Sequence, residues 1–208
     1  MTMNTAELIA LIGRMSDKIS EQKDYLTELD RPIGDNDHGV NMARGFKEAV
    51  LKLETMKDKD AGTILKTTGM TIVSKAAGSS GPLYGTAFMN AGKLMTGKME
   101  ISLEDYISMM ETAVDGVKMR GKATTGEKTM LDAMVPYLEK IREAKASGKD
   151  TKEILTEGYE AAYEGMKSTI PMIATKGRAS YVGERSIGHQ DPGATSFTFL
   201  MEVIKDFR

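Results

Sequence analysis

Apolar side chains recur along this chain at intervals of three or four residues, the spacing that gathers them on one face of an α-helix. Between Thr5 and Leu29 the apolar positions are Leu8, Ile12, Met15, Ile19, Leu26 and Leu29, and Asn4 with Glu7 has the spacing of a capping box. A second helix is predicted after Gly39, burying Ala43, Phe46, Val50 and Leu53. Asp60 caps a third, which carries Ile64, Leu65 and Ile72. The fourth opens at Gly81-Pro82, where a proline in the first turn sacrifices no helical hydrogen bond, and lines up Tyr84, Ala87, Phe88, Ala91 and Met95. Ser102 begins the fifth, with Ile107, Met110, Val114 and Val117 inside. The sixth covers about Glu127 to Lys145 around Met130, Met134, Leu138 and Ile141. Asp150 with Glu153 caps the seventh, which reaches about Ile170. Asp191-Pro192 opens the eighth, which buries Phe197, Leu200, Met201 and Ile204.

No segment alternates with period two, and Val, Ile and Thr do not cluster between turn signals. The expectation is therefore an all-α fold: an eight-helix antiparallel up-and-down barrel or bundle, one domain over residues 1–208, with no internal repeat or linker. In such a topology alternate connections share an end. The connections Asp30 to Gly39, Gly78 to Pro82, Gly121 to Glu127 and Thr175 to Gly193 fall at the same end, and all four are rich in polar residues and glycine. Those at the other end, such as Met56 to Asp60 and Ala146 to Asp150, are short and lysine-rich. One end is thus expected to carry a site.

Composition narrows the chemistry. Apolar residues make up 40% of the 208, enough for a core, and the formal net charge of -2 supplies no positive field for a nucleic-acid backbone. The chain has no cysteine and only His38 and His189 as histidines, which leaves neither a disulfide nor a zinc ligand set. The N-terminus lacks the pattern of a signal peptide, and no stretch approaches the roughly 18 apolar residues of a membrane span. The expected compartment is the cytosol. The 17 methionines read as flexible core filling.

Three carboxylates, Asp30, Asp35 and Asp37, fall within eight residues between two helices. A hard divalent cation such as Mg²⁺, which takes carboxylate and phosphate oxygens, would reconcile them. Solvated turn carboxylates, with Asp37 capping the next helix, account for the composition equally well. An EF-hand does not: counted from Asp35 the fifth and twelfth positions are Gly39 and Phe46, and counted from Asp30 the third is Pro32.

Gly78-Ser79-Ser80-Gly81-Pro82 stands at a helix start, where free amides, two hydroxyls and the helix dipole favour an anion; an ordinary serine cap is the simpler reading of this loop alone. Gly116 to Ala123 nearly spells a P-loop, but Ala123 replaces the metal-binding hydroxyl and a helix precedes it where a strand is required. Gly121 reads better as a place where a flat ring can approach the backbone, with Met130 nearby. The last loop, with Arg178 and Arg185, spans nearly twenty residues without apolar periodicity, a length that in compact domains marks function or disorder. Either arginine could neutralise a transferring phosphoryl group.

Together these loops resemble those of the nucleotide-binding L subunits of dihydroxyacetone kinases, over essentially the whole chain. The resemblance rests on Gly34 to Met42, on Gly78 to Gly85, and on Lys176 to Tyr181 followed by His189 to Ala194. It implies an eight-helix barrel with the nucleotide at one end. By this resemblance Asp30, Asp35 and Asp37 ligate two Mg²⁺. His38 and Asn41 lie close to the nucleotide, Ser79 and Ser80 bind phosphate, and Gly121 and Met130 form the adenine pocket. Arg178 contacts phosphate and is the expected catalytic residue, and Asp191, Pro192 and Gly193 complete the nucleotide contacts. Asn36 stands where glycine is frequent. A free chain of this length resembles the branch coupled to the phosphoenolpyruvate phosphotransferase system. There ADP is a resident cofactor, a phosphohistidine on an M subunit converts it to ATP, and the phosphoryl group passes to dihydroxyacetone held on a K subunit. Two further readings stand beside this one: an ATP-exchanging kinase domain for another acceptor, as in fatty-acid kinases, and a nucleotide-dependent partner of a transcription regulator.

Overall fold

The structure, a computed structural model, describes residues 2–207. All eight expected helices are present, and the first is divided. Helix α1 (Thr5–Glu21) and helix α2 (Lys23–Asp30) meet at Gln22, whose φ of -91° and ψ of 8° break the regular turn. Then follow α3 (His38–Leu53), α4 (Ala61–Lys75), α5 (Ser80–Leu94), α6 (Leu103–Gly121), α7 (Leu131–Ala146), α8 (Thr151–Ser168) and α9 (Pro192–Lys205). The segment Arg178–Ser186 is 3₁₀-like and kinked at Gly183 (φ 56°). Each helix packs on the next in sequence, and α1 closes the ring against α9. This is an up-and-down barrel.

The caps lie where the side chains required them. Asn4 with Glu7, Ser102 with Asp105 and Asp150 with Glu153 each form a reciprocal capping box, worth about 1 kcal/mol per cap. Asp60 caps α4 through the Thr63 amide, and Asp191 caps α9 through the Ala194 amide with Pro192 in the first turn.

One local feature departs from the all-helical expectation. Strand β1 (Thr2–Asn4) pairs antiparallel with β2 (Glu100–Ser102), Met3 opposite Ile101. Three residues are too few to display a period of two, so no pattern announced them. Helix α7 also begins four residues later than expected. Lys128 takes a left-handed φ of 60°, and the Asp132 carboxylate accepts from the amides of Gly126 and Thr129, which turns residues 126–130 into a folded entry to the helix.

The predicted apolar faces meet in the barrel interior. Ile12, Ile19, Phe46, Ile64, Ile72, Val114, Met134, Ile141, Phe197 and Leu200 are all buried there, with Phe46 edge-on to Tyr84 and Tyr137 edge-on to Phe197. Methionines 15, 42, 95, 134 and 201 fill the same core, as expected of a flexible side chain between helices. At the α4–α5 crossing the backbones touch: a Cβ on Gly69 would lie 2.7 Å from the Gly85 carbonyl oxygen, and one on Gly62 would lie 2.6 Å from that of Gly92. The core therefore fixes the helix ends, and the helix ends fix the four polar loops.

Candidate nucleotide and metal site

The aspartate loop is folded around the carboxylate of its first member. Asp30 is the last residue of α2 and is buried; its Oδ2 accepts from the amides of Asp37 (2.9 Å) and His38 (3.2 Å). Its carbonyl accepts from the Gly34 amide, and a Cβ on Gly34 would stand 1.9 Å from Asp30 Oδ1. Glycine at 34 is therefore required by contact with this carboxylate. Asp35 and Asp37 follow, and each of the three aspartates offers an oxygen such that all lie within 4.8 Å of one another. Asp37 precedes α3, yet its side chain makes no capping hydrogen bond. The reading of Asp37 as a helix cap thus fails, and its carboxylate faces the other two instead.

The second loop shows the same economy. Ser79 stands at the N-cap position of α5 and its hydroxyl makes no capping hydrogen bond. The left-handed turn at Gly78 (φ 74°) brings the chain against the aspartate loop: a Cβ there would lie 3.8 Å from Asp37 Oδ1 and 3.9 Å from Asn41 Nδ2. Asn41 is buried, its Oδ1 accepts from Arg44, and its Nδ2 donor has no hydrogen-bond partner among the described residues. A buried amide donor without an acceptor costs about 1–3 kcal/mol. A phosphate oxygen is an acceptor that would satisfy it.

His38 opens α3 with both ring nitrogens engaged, Nδ1 2.8 Å from Ser80 Oγ and Nε2 3.0 Å from Ser196 Oγ. Burial pushes its pKa down to about 4, against the pull of Asp30 and Asp35, so the ring is neutral near pH 7.

All four loops meet at one cavity of about 380 Å³, within the size range of small-molecule sites. Its lining brings together Asp30, Asp35, Asp37, His38, Ser79, Ser80, Gly121, Met130, Arg178, Asp191, Pro192 and Gly193. Asn41, also expected from sequence, is absent from the lining; it lies behind Gly78. Arg178 reaches across from the 3₁₀ segment to Asp35, Nη2 to Oδ2 2.9 Å, whereas Arg185 is not part of the lining.

Lys128 was not singled out by sequence. It is buried to 1% exposure, lines the cavity, and donates from Nζ to the carbonyls of Thr169 (2.6 Å), Met172 (3.2 Å) and His189. Burial lowers its pKa, while Asp191 and Asp132 oppose that shift. Asp191 is its counterpart: burial, reinforced by Asp132 and Asp30, raises the carboxyl to about 7 despite the Ala194 amide and Lys128. A lone lysine between a glutamate and a threonine carries no periodic signal. Its partners lie more than forty residues away in sequence, so only the folded chain displays it.

Known proteins resemble this chain over nearly its whole length. A family model described as the DAK2 domain matches residues 32–206. The chain is 46% identical over 204 residues to a protein of Escherichia coli named "PEP-dependent dihydroxyacetone kinase, ADP-binding subunit DhaL", covering 98% of this chain and 97% of that one. It is 40% identical over 204 residues to the "PTS-dependent dihydroxyacetone kinase, ADP-binding subunit DhaL" of Lactococcus lactis, with the same coverage of each. Among solved structures, the dihydroxyacetone kinase from C. freundii in complex with AMP-PNP and Mg²⁺ shares the fold at a TM-score of 0.76 and 23% identity, covering 100% of this chain and 35% of that chain.

Proposed function

The chain belongs to the DAK2 domain family, and from that premise we propose that it is the ADP-binding subunit of a PEP-dependent dihydroxyacetone kinase. One observation carries the reading: three aspartates and the serines at the α5 start, with neither Asp37 nor Ser79 spent on a cap, surround one cavity with Arg178. Three acceptor-only groups beside unspent donors are the complement of a divalent cation on a polyphosphate.

In this reading Asp30, Asp35 and Asp37 would hold two Mg²⁺, which when bound would neutralise charge on the phosphate oxygens. Ser79, Ser80 and the first amides of α5 hold phosphate oxygens, with Asn41 just behind Gly78. Gly121 and Met130 offer the adenine a flat wall, with Asp191, Pro192 and Gly193 completing the enclosure. Arg178 meets the charge of the transferring group, a role in which preorganised donors act most strongly because little is left to reorganise. The phosphoryl group comes from a phosphohistidine on an M subunit and goes to dihydroxyacetone on a K subunit. The expected compartment is the cytosol; no helix among the described residues is long and apolar enough to cross a membrane.

Reconstitution tests the reading. The chain is mixed with a dihydroxyacetone-binding subunit, an M subunit phosphorylated from phosphoenolpyruvate, and dihydroxyacetone. Formation of dihydroxyacetone phosphate that requires all three proteins and only catalytic ADP is the expected result. Transfer from free ATP to another acceptor, such as a fatty acid, with no need of the M subunit, contradicts it.

A further inference from the structure

Behind Ser80 runs a buried chain of groups that each carry one proton. The Tyr84 hydroxyl lies 2.8 Å from Ser196 Oγ, Ser196 Oγ lies 3.0 Å from His38 Nε2, and His38 Nδ1 lies 2.8 Å from Ser80 Oγ. Tyr84, Ser196 and His38 are all buried, and Ser196 does not line the cavity. Among the described residues Ser196 is the one hydrogen-bond partner of the Tyr84 hydroxyl, so Tyr84 donates to Ser196; otherwise its proton is buried without an acceptor.

Ser196 has a single proton and two acceptors within reach, His38 Nε2 and the Gly193 carbonyl at 3.1 Å. A neutral imidazole donates from one nitrogen and accepts at the other, so this choice fixes the rest of the chain. If Ser196 donates to Gly193, Nε2 carries the proton, Nδ1 is bare, and Ser80 must spend its O–H on the ring. If Ser196 donates to Nε2, then Nδ1–H donates to Ser80 and the Ser80 proton is free for the cavity. A phosphate oxygen offers no proton of its own at neutral pH, so it can be met only in the second order.

We infer that Tyr84, Ser196 and His38 are positioning residues that hold the Ser80 hydroxyl as a donor to phosphate, and that His38 acts on the nucleotide through Ser80. The inference rests on the nucleotide reading given above. It makes Ser196, a residue of α9 outside the cavity, part of the binding machinery.

The test is the tautomer of His38, read from imidazole ¹⁵N shifts in the protein saturated with ADP and Mg²⁺. With two histidines in the chain, a His189→Gln variant assigns the signals. The expected pattern is a protonated Nδ1 and a bare Nε2. A protonated Nε2, or a ring protonated at both nitrogens, overturns the inference. Ser80→Ala should bind ADP roughly tenfold more weakly, as for one lost hydrogen bond to a charged group, and at saturation should lose the preference for Nδ1–H. An unchanged tautomer in Ser80→Ala also overturns it, since Ser80 would then not select the proton order. If the wild-type chain binds no nucleotide at all, the reading of function fails by itself, and the ¹⁵N pattern still reports the proton order in the buried chain.

Discussion

Arg178 and Asp35 form an ion pair across the mouth of the cavity, guanidinium to carboxylate at 2.9 Å, joining the last loop to the aspartate loop. Both side chains are part-exposed, at 55% and 31%. An exposed pair contributes at most about 1 kcal/mol to stability. The fold therefore does not depend on Arg178, and its charge is available for chemistry. Arg178→Ala should unfold within a few degrees of the wild-type temperature. Its phosphoryl transfer in the three-subunit assay should fall by roughly 10²–10³, the usual cost of removing a preorganised donor. Equal transfer by the two proteins would remove Arg178 from the mechanism.

Gly34 supplies a sharper test of the aspartate loop. Alanine there places a methyl group 1.9 Å from Asp30 Oδ1, so either the carboxylate or the loop must move. Gly34→Ala should retain its helical circular dichroism and bind Mg²⁺ at least about tenfold more weakly by titration calorimetry, since precise placement of oxygens governs Mg²⁺ affinity. Wild-type affinity in this variant would show that Asp30 Oδ1 is not a ligand.

The capping boxes and apolar stripes made the barrel legible in the sequence because they are local: Asn4 sees Glu7, and Ile12 shares a face with Met15 and Ile19 within two turns. The shared end of the four loops followed from counting helices. What stayed hidden depends on contacts far apart in the chain. Ser196 sits among the buried apolar residues of α9 and reads as a small core side chain until the fold brings His38 to it from 158 residues away. Lys128 reads as a surface charge until it is seen among the carbonyls that follow α8. The break at Gln22 and the left-handed Lys128 carry no glycine or proline to mark them.

Lys128 bonds carbonyls that have left the regular ladder of α8. Lys128→Met keeps the length of the side chain and removes its donors, leaving buried acceptors unpaired. The expected loss is on the order of 2–4 kcal/mol in denaturant unfolding, summed over the freed carbonyls. A loss below about 0.5 kcal/mol would show that water serves these carbonyls equally well, as for an ordinary surface position.

Asp191 gives the stability a pH dependence of definite sign. Its carboxyl titrates at about 7 in the fold and at about 3.9 when unfolded. Its contribution is complete below the unfolded value and is lost as pH rises through 7, because the unfolded chain ionises first. Asp191→Asn can still cap α9 and has no charge to bury. Urea unfolding with EDTA present should show the wild type losing roughly 2–4 kcal/mol relative to Asp191→Asn between about pH 4 and pH 7.5. Parallel stability curves would mean that Asp191 is ionised throughout.

The account rests on a set of aspartates that only cation and polyphosphate together make tolerable. Native mass spectrometry reports that cargo directly, as mass above the bare chain. The wild-type protein should carry ADP with two Mg²⁺, and the double variant Asp35→Ala, Asp37→Ala should appear at the mass of its polypeptide alone while its helical circular dichroism is unchanged. A double variant that retains nucleotide and metal as the wild type does would contradict the assignment of the site.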